Sequence, residues 1–236
     1  MHAFAMDVTH ILDPLNDAQR DAVTSDAPHA LILAGAGSGK TRVLVHRIAW
    51  LMATGEALGH NLLSVTFTNK AAGEMRVRIE EMLQRPAGGM WVGTFHGLAH
   101  RLLRSHWQEA GLPQGFQIID SDDQLRSLRR IVRQLELDET RWQPRQVQSY
   151  INGRKEEGLR AKHVDTHGDY FAERMVQVYL AYEELCERGG LVDFSELLLR
   201  AHELLRERAD VLAHYQARFR YILVDEFQDT DRKSVV

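Results

Sequence analysis

The hydrophobic and polar positions of the chain fall into blocks that are typical of alternating strands and helices. Apolar residues within 44–52 recur every three or four positions, which predicts a helix. Short uninterrupted apolar runs lie between such helical segments and predict buried strands. These runs span 31–34, 62–67, 90–93 and 221–224. Strands that alternate with helices indicate an α/β fold with a parallel sheet.

The long stretch between the third and fourth predicted strands does not fit this alternation. Residues 94–220 contain helical patterns without a convincing strand, and they exceed the length that one crossover connection needs. One helix is predicted to start with a capping box of Ser121 and Gln124, and another to include 197–205. We therefore predict an inserted, mostly α-helical subdomain.

Composition narrows the class of protein. Of the 236 residues, 44% are apolar and 26% are charged, as in average globular proteins. The N-terminal residues lack the pattern of a signal peptide, and no apolar run approaches about 18 residues. We predict a cytoplasmic protein with no membrane partner. The single cysteine, Cys186, is predicted to pack as a small hydrophobic residue rather than to act as a nucleophile.

The charge distribution limits how the chain can bind nucleic acid. A net charge of -4 excludes a global basic field, so any such contact must be local. The segment 124–162 is locally basic, because it carries ten Lys or Arg and five acidic residues, a net charge of +5. Such a segment is either a solvated helix face or a surface that binds phosphates, and composition alone slightly favours the first.

A phosphate-binding loop lies where its chemistry requires, after a predicted strand and before a predicted helix. Its glycines let backbone N–H groups turn toward phosphate oxygens, and the helix N-terminus adds a favourable dipole. Lys40 is expected to reach the β and γ phosphates of ATP, and the Thr41 hydroxyl to bind Mg²⁺. The alternative is a glycine-rich turn without a ligand. The predicted ATP-binding residues of the loop are Ala34, Gly35, Ala36, Gly37, Ser38, Gly39, Lys40 and Thr41.

Two carboxylates follow the fourth predicted strand. Asp225 and Glu226 would lie at the carboxyl edge of a parallel sheet, where ligands bind. Asp225 is expected to hold Mg²⁺ through its water shell, and Glu226 to orient and deprotonate the water that attacks the γ-phosphate. Gln228 is expected to act with them by sensing the γ-phosphate. Without the phosphate loop, the same pair would fit a solvated strand end equally well.

Five motifs follow one another in a fixed order along the chain. They occupy 15–20, 34–41, 65–72, 93–97 and 224–230. Together they resemble the superfamily 1A DNA helicases of UvrD type, and the resemblance extends from 6 to 230. Alanine at position 34, where many phosphate loops carry glycine, also agrees with this family.

The resemblance implies a RecA-like P-loop NTPase sheet with an inserted helical subdomain. The ATP-binding subdomain, called 1A, is expected to comprise 1–93 plus 218–230, and the helical subdomain, called 1B, to comprise 94–217. A strand that follows the acidic motif in such sheets is missing, so we expect an incomplete sheet and a chain of marginal stability or prone to aggregation. Residues 231–236 do not resemble the family, and we expect a non-native tail translated from a sequencing adapter.

The resemblance also implies roles for individual residues. Gln19 is expected to bind the adenine edge of ATP, although with Asn16 it also fits a local capping box. Without the resemblance, Phe67 would be interpreted as a core residue and His96 as a structural one. The family context favours DNA contact for the basic segment 124–162. The residues implied to contact single-stranded DNA are Phe67, Thr68, Asn69, Thr94, Phe95 and His96.

The function implied is the N-terminal part of an ATP-dependent 3′ to 5′ DNA helicase, which couples ATP hydrolysis to translocation on single-stranded DNA during repair. Its expected cofactors are ATP and Mg²⁺. Its expected partners are single-stranded and duplex DNA, together with bacterial mismatch and excision repair proteins. Relatives in this family continue beyond the acidic motif into a second motor domain, which is missing here, so we expect the chain by itself not to unwind DNA.

Two alternatives belong to other functional classes. The first is a stand-alone nucleotide- or single-stranded-DNA-binding module without motor activity. The second is a P-loop kinase or small-molecule NTPase, which Gln19 and the two DNA-type motifs disfavour.

Overall fold

The structure is a computed structural model, and it describes residues 7–35 and 37–227. The chain divides into two compact units. Within the described residues, unit 1 contains everything up to 98 and from 212 onward, and unit 2 contains 99–211. The assignment of 1–93 plus 218–230 to subdomain 1A and of 94–217 to subdomain 1B stays a prediction. The predicted tail, 231–236, lies outside the described residues.

The helices and strands are named in chain order. Within the described residues, the helices are α1 (Thr9–Leu12), α2 (Asp17–Thr24), α3 (Lys40–Ala53), α4 (Asn69–Leu83), α5 (Phe95–Ser105), α6 (Ser121–Gln134), α7 (Pro144–Glu156), α8 (Tyr170–Gly189), α9 (Phe194–Glu207) and α10 (Ala209–Arg218). The strands there are β1 (Leu62–Val65), β2 (Trp91–Gly93), β3 (Gln117–Ile118), β4 (Leu191–Val192) and β5 (Tyr221–Val224). None of these helices is both long and apolar enough to cross a membrane.

Unit 1 is built on a parallel sheet in the order β2-β1-β5. The central strand is β1, whose Val65 lies in register with Gly93 of β2 and with Val224 of β5. Three of the four predicted strands are therefore present, and the predicted α/β class is confirmed.

The strand predicted at 31–34 is wrong. This segment forms no strand in the structure, and the side chains of Leu31 and Leu33 are 66% and 84% exposed. A strand needs a neighbour that satisfies its backbone hydrogen-bonding groups. In the described sheet, this segment pairs with neither of the edge strands, β2 and β5. The expected incompleteness of the sheet, the marginal stability and the tendency to aggregate stay predictions.

Helices α3 and α4 supply the apolar layer that packs with the sheet. Ile48 of α3, Met75 and Ile79 of α4, and Leu62 of β1 belong to one buried cluster. Because α3 begins at Lys40, this packing fixes the start of the helix relative to the sheet.

Strand β2 is also held by an aromatic cluster. The ring centroids of Tyr215 and Phe219 lie 5.5 and 5.2 Å from that of Trp91, and the Arg218 guanidinium lies 5.2 Å from it. Such contacts are favourable beyond simple area burial. They anchor the strand that leads to the predicted DNA motif at 93–97.

Unit 2 is mostly helical, as predicted. Leu128 of α6, Val147 of α7 and Val178 of α8 share one apolar cluster. The structure adds a short parallel pair, β3 and β4, that we did not predict, because strands of two residues show no periodicity. Cys186 is buried, as predicted, and burial raises the pKa of its thiol to about 11.

The predicted capping box at the start of α6 is wrong. Asp120, rather than Ser121, is the N-cap residue, and its Oδ1 accepts a hydrogen bond from the Asp123 N–H at 2.8 Å. Gln124 is buried, and its Nε2 donates to Asn152 Oδ1 at 2.8 Å and to Asp193 Oδ2 at 3.2 Å. Gln124 is therefore committed to tertiary contacts rather than to the local cap.

A network of buried charges lies within unit 2. Lys155 Nζ is 2.7 Å from Asp193 Oδ2 and 2.9 Å from Glu196 Oε2, and all three side chains are at most 5% exposed. Arg160 pairs with Glu196 at 2.8 Å and also with Glu203. Of the ten basic residues in 124–162, Lys155 is therefore internal, and Arg160, whose side chain is 13% exposed, is paired with carboxylates, so neither is available to a DNA-binding surface. Both interpretations of that segment had placed its charges on the surface.

We predict that Lys155→Ala lowers the free energy of unfolding by about 3–5 kcal/mol, because it leaves two buried carboxylates without their ammonium partner. Urea unfolding followed by circular dichroism measures this loss. Arg126→Ala is the control, since Arg126 pairs with Asp123 while 65% exposed and should cost less than about 1 kcal/mol. Equal losses in the two variants would contradict the assignment of a buried network.

We predict that Glu196 makes stability depend on pH. Burial opposes ionisation of Glu196, but Lys155, Arg160 and Arg200 outweigh it and lower its pKa from 4.5 to about 2. Its stabilising contribution is therefore complete above pH 4.5 and is lost as the pH falls toward 2. Urea midpoints across this range should converge for wild type and Glu196→Gln at low pH. Glu184 is exposed, so the urea midpoint of Glu184→Gln should instead match that of wild type at every pH.

Candidate nucleotide and DNA site

The phosphate loop connects an exposed segment to the start of α3. Gly39 is the N-cap residue of α3 with φ 89°, and Gly37 has φ 76°. These left-handed conformations are accessible to glycine and strained for residues with a Cβ. The sequence therefore has glycine at the two described positions where the loop must turn. Ala36, which was also predicted to bind ATP, lies outside the described residues.

The loop is closed by its own hydrogen bonds. Ser38 Oγ donates to the Gly35 carbonyl at 2.6 Å, and Lys40 Nζ donates to the Ala34 carbonyl at 3.1 Å. Both side chains thus bind back to carbonyl groups at the beginning of the loop. A bound phosphate would have to compete with the Ala34 carbonyl for the Lys40 ammonium.

Gln19 joins helix α2 to this loop. The capping box that we considered as the local alternative is present, because Asn16 Oδ1 accepts from Gln19 N at 2.9 Å and Gln19 Oε1 accepts from Asn16 N at 3.2 Å. Gln19 Nε2 also donates to the Ser38 carbonyl at 3.0 Å. The amide therefore lies at the loop, although its role toward adenine stays a prediction.

The acidic strand end meets the phosphate loop through one hydrogen bond. Thr41 Oγ1 donates to Asp225 Oδ2 at 3.2 Å, across 184 positions of sequence. Asp225 is 7% exposed, and its backbone N–H donates to the Val65 carbonyl at 2.9 Å, which continues the β1–β5 ladder. Burial raises the pKa of the Asp225 carboxyl, with Glu226 adding repulsion and Thr41 opposing it.

The oxygen atoms at this contact fit a magnesium ion. Mg²⁺ binds hard oxygen ligands and commonly keeps several waters, so one hydroxyl and one carboxylate suffice from the protein. The raised pKa of Asp225 also reflects a buried negative charge that a cation would stabilise. Among the described residues, no group of three or more His, Cys, Asp or Glu could hold a metal by itself.

Glu226 follows directly in an uncommon backbone conformation. Its φ is 53°, which is left-handed and rare for a residue with a Cβ. Such strain is characteristic of functional positions, where the surrounding structure compensates for it. Phe227 is 49% exposed, and Gln228 lies outside the described residues.

The two predicted DNA motifs leave the sheet at the same edge as Asp225. Val65, Gly93 and Val224 lie side by side in the register, so the residues that follow them share the carboxyl edge of the sheet. Phe67 is 45% exposed there, which contradicts its interpretation as a core residue. Thr68 caps α4 by accepting from Ala71 N at 3.1 Å, and the exposed Asn69 is the first residue of that helix.

The second motif forms the start of α5. Thr94 Oγ1 accepts from Gly97 N at 3.1 Å, and the Thr94 carbonyl accepts from Leu98 N at 2.9 Å. Phe95 is partly buried, and His96 is exposed. Thr94 is therefore engaged in shaping the helix start, and the roles of Phe95 and His96 toward DNA stay predictions.

Sequence reasoning missed the contact between Gln19 and Ser38. The capping pattern of Asn16 and Gln19 is visible in the sequence, but a bond to a backbone carbonyl 19 residues away leaves no pattern. The sequence-predicted nucleotide residues that are brought together are Gln19, Ser38, Thr41 and Asp225.

Comparison with known proteins identifies the family. The family model "UvrD/REP helicase N-terminal domain" matches residues 15–235. The chain belongs to this family. DNA helicase II of Escherichia coli K12 is similar at 58% identity over 226 residues, and DNA helicase II of Haemophilus influenzae at 50% over 231 residues. ATP-dependent DNA helicase PcrA of Bacillus subtilis is similar at 39% identity over 224 residues.

The chain spans only part of these relatives. The matches with the Escherichia coli, Haemophilus influenzae and Bacillus subtilis proteins span 96%, 96% and 94% of this chain. They span only 31%, 32% and 30% of those three proteins. The predicted resemblance to UvrD-type helicases is confirmed. The relatives are named as helicases, which does not favour a stand-alone binding module.

We predict that Gln19→Ala lowers ATP affinity and reduces discrimination against GTP, because it removes an amide that lies at the loop. Asn16→Ala is the matched control: it breaks the same capping box but keeps the Gln19 amide. Each variant should destabilise the fold by about 1 kcal/mol. Fluorescence titration with labelled ATP and GTP measures nucleotide affinity and discrimination, and it separates them from the loss of stability that both variants share. Equal loss of discrimination in both variants would show that Gln19 acts only through the cap.

Proposed function

We propose that the chain is the ATP-binding N-terminal part of an ATP-dependent 3′ to 5′ DNA helicase. In this proposal, the chain by itself binds ATP, Mg²⁺ and single-stranded DNA without unwinding duplexes. The observation that carries it is the Thr41–Asp225 hydrogen bond, at 3.2 Å, because it joins the phosphate loop to the sheet edge from which both DNA-type motifs emerge.

The nucleotide would be bound by loop and helix together. The N–H groups at the start of α3 and the Lys40 ammonium would hold the phosphates, and Gln19 would select the adenine base. Lys40 would exchange the Ala34 carbonyl for phosphate oxygens.

The two carboxylates of the acidic motif would have different roles, one in metal binding and one in hydrolysis. Thr41 and Asp225 would hold Mg²⁺, which neutralises phosphate charge when it is bound. Glu226 would orient the attacking water and accept its proton, and Gln228 would sense the γ-phosphate. The different surroundings of the two acids support this division, because Asp225 is buried at 7% exposure and hydrogen-bonded, whereas Glu226 is only partly buried.

DNA would bind along the same sheet edge. Phe67 offers an exposed ring for base stacking, and Thr68, Asn69, Thr94, Phe95 and His96 would contact neighbouring bases and backbone. Since these segments directly follow β1 and β2, a movement of the nucleotide site would be transmitted to DNA through the sheet. We further propose a cytoplasmic role in mismatch and excision repair, in contact with repair proteins.

We predict that Lys40→Ala weakens binding of Mg²⁺–ATP by about tenfold or more, since it removes a charge-assisted hydrogen bond to phosphate. Glu226→Gln should keep ATP binding, because the role of Glu226 begins with the attacking water. It should abolish ATP hydrolysis by the chain, which we expect to be slow. Titration with a fluorescent ATP analogue, with and without EDTA, measures affinity and metal dependence. Lys70→Ala is the control, because Lys70 is an exposed lysine that pairs with Glu74.

Two results would count against this function. Equal ATP affinity in Lys40→Ala and Lys70→Ala would remove the phosphate loop from nucleotide binding. Unchanged hydrolysis in Glu226→Gln would remove Glu226 from catalysis.

A further inference from the structure

A cluster of aromatic and arginine side chains lies in unit 2, at the start of α8. We call it the Tyr170 cluster, and it contains Arg141, Trp142, Tyr170, Phe171 and Arg174. Trp142 is buried and stacks on Phe171 with centroids 5.9 Å apart. Tyr170 packs edge-on against Trp142 at 6.4 Å, yet it remains 50% exposed. The cluster thus has a packed base and an exposed aromatic ring.

Two guanidinium groups lie against this exposed ring. The centres of Arg174 and Arg141 are 5.1 and 5.9 Å from the Tyr170 centroid, and Arg141 is also 4.9 Å from that of Trp142. The exposed Arg145 follows at the start of α7. Within the described part of the chain, none of these three arginines forms an ion pair with a carboxylate.

Two acidic residues near the cluster accept hydrogen bonds from backbone N–H groups, and Thr140 and, to a smaller extent, Arg141 lower the pKa of one of them, Asp138. Asp169 caps α8 by accepting from Ala172 N at 2.9 Å, and Asp138 accepts from Thr140 N at 2.9 Å. Arg174 donates to the neutral amide oxygen of Gln177 at 2.7 Å. Its positive charge is therefore not neutralised by this amide.

We propose that the Tyr170 cluster is a second contact for single-stranded nucleic acid, where a base stacks on the exposed aromatic and guanidinium surface and arginines bind flanking phosphates. Proteins that bind single strands combine exposed aromatic rings with positive charge in this way. An acidic peptide would use the guanidinium groups but not the ring, which is why the cluster favours nucleic acid. The inference rests on the proposed function, and it adds a site in unit 2 to the one in unit 1.

Base stacking at Tyr170 is tested by comparing two ligands of equal charge. Fluorescence anisotropy measures binding of the full chain to an oligothymidylate of about 20 nucleotides and to an abasic strand of the same length. Tyr170→Ala should weaken oligothymidylate binding about tenfold and leave abasic binding nearly unchanged. Tyr170→Phe should keep both affinities, because its ring still stacks.

The arginine contribution has its own matched control. Arg174→Ala should weaken binding to both strands, since phosphates are common to both. Arg188→Ala removes the same charge from the same helix at a position where Arg188 pairs with Glu184, and it should have little effect. Equal losses in these two variants would overturn a local phosphate contact.

Three outcomes would overturn the Tyr170 proposal, and they differ in what they say about the proposed function. If Phe67→Ala weakens oligothymidylate binding and Tyr170→Ala does not, the cluster is excluded and the proposed function stands. Base stacking is excluded if Tyr170→Ala weakens the binding of both strands equally, or if it weakens only the binding of polyglutamate, which represents an acidic peptide. If the wild-type chain binds no oligothymidylate, the cluster and the DNA-binding part of the proposed function fail together.

Discussion

The pairing of β1 with both of its neighbours is the constraint on which the candidate site depends. Val65 is in register with Gly93 on one side and with Val224 on the other. Because parallel strands end at a common edge, this register brings the Phe67 segment, the Thr94 segment and Asp225 to one side of the sheet. A shift of one residue would move alternate side chains to the opposite face and separate these groups.

The same sheet explains why the segment before the phosphate loop is irregular. Its apolar residues favour a strand, but an isolated strand leaves its backbone groups unpaired and gains no burial. In the described sheet, neither edge strand, β2 or β5, forms a second ladder with this segment. The loop itself still takes shape, because its glycines, the helix start at Lys40 and the contact with Gln19 are local to α2 and α3. Loop geometry and strand formation are therefore separable here.

Unit 2 depends on a different interaction, the buried charges of α7 and α9. Asp193 accepts hydrogen bonds from the Glu196 N–H and from the side chains of Gln124, Lys155 and Tyr182, so one carboxylate caps α9 and binds three other helices. Burying such a group is costly unless all its oxygens are satisfied, which makes the network demanding of geometry. It also explains why charge along the sequence misled us, since composition does not distinguish an internal Lys155 from an exposed Arg130.

The sequence by itself determined the α/β class, three strands, the helical insertion and the motif residues, because periodicity and glycine or carboxylate spacing are local properties. It also exposed the capping pattern of Asn16 and Gln19. Only the tertiary structure decided that Thr41 meets Asp225 across 184 positions, that the segment at 31–34 forms no strand and that Asp120 caps α6. These outcomes depend on which backbone and side-chain partners are present in space, and such partners leave no periodic signal along the chain.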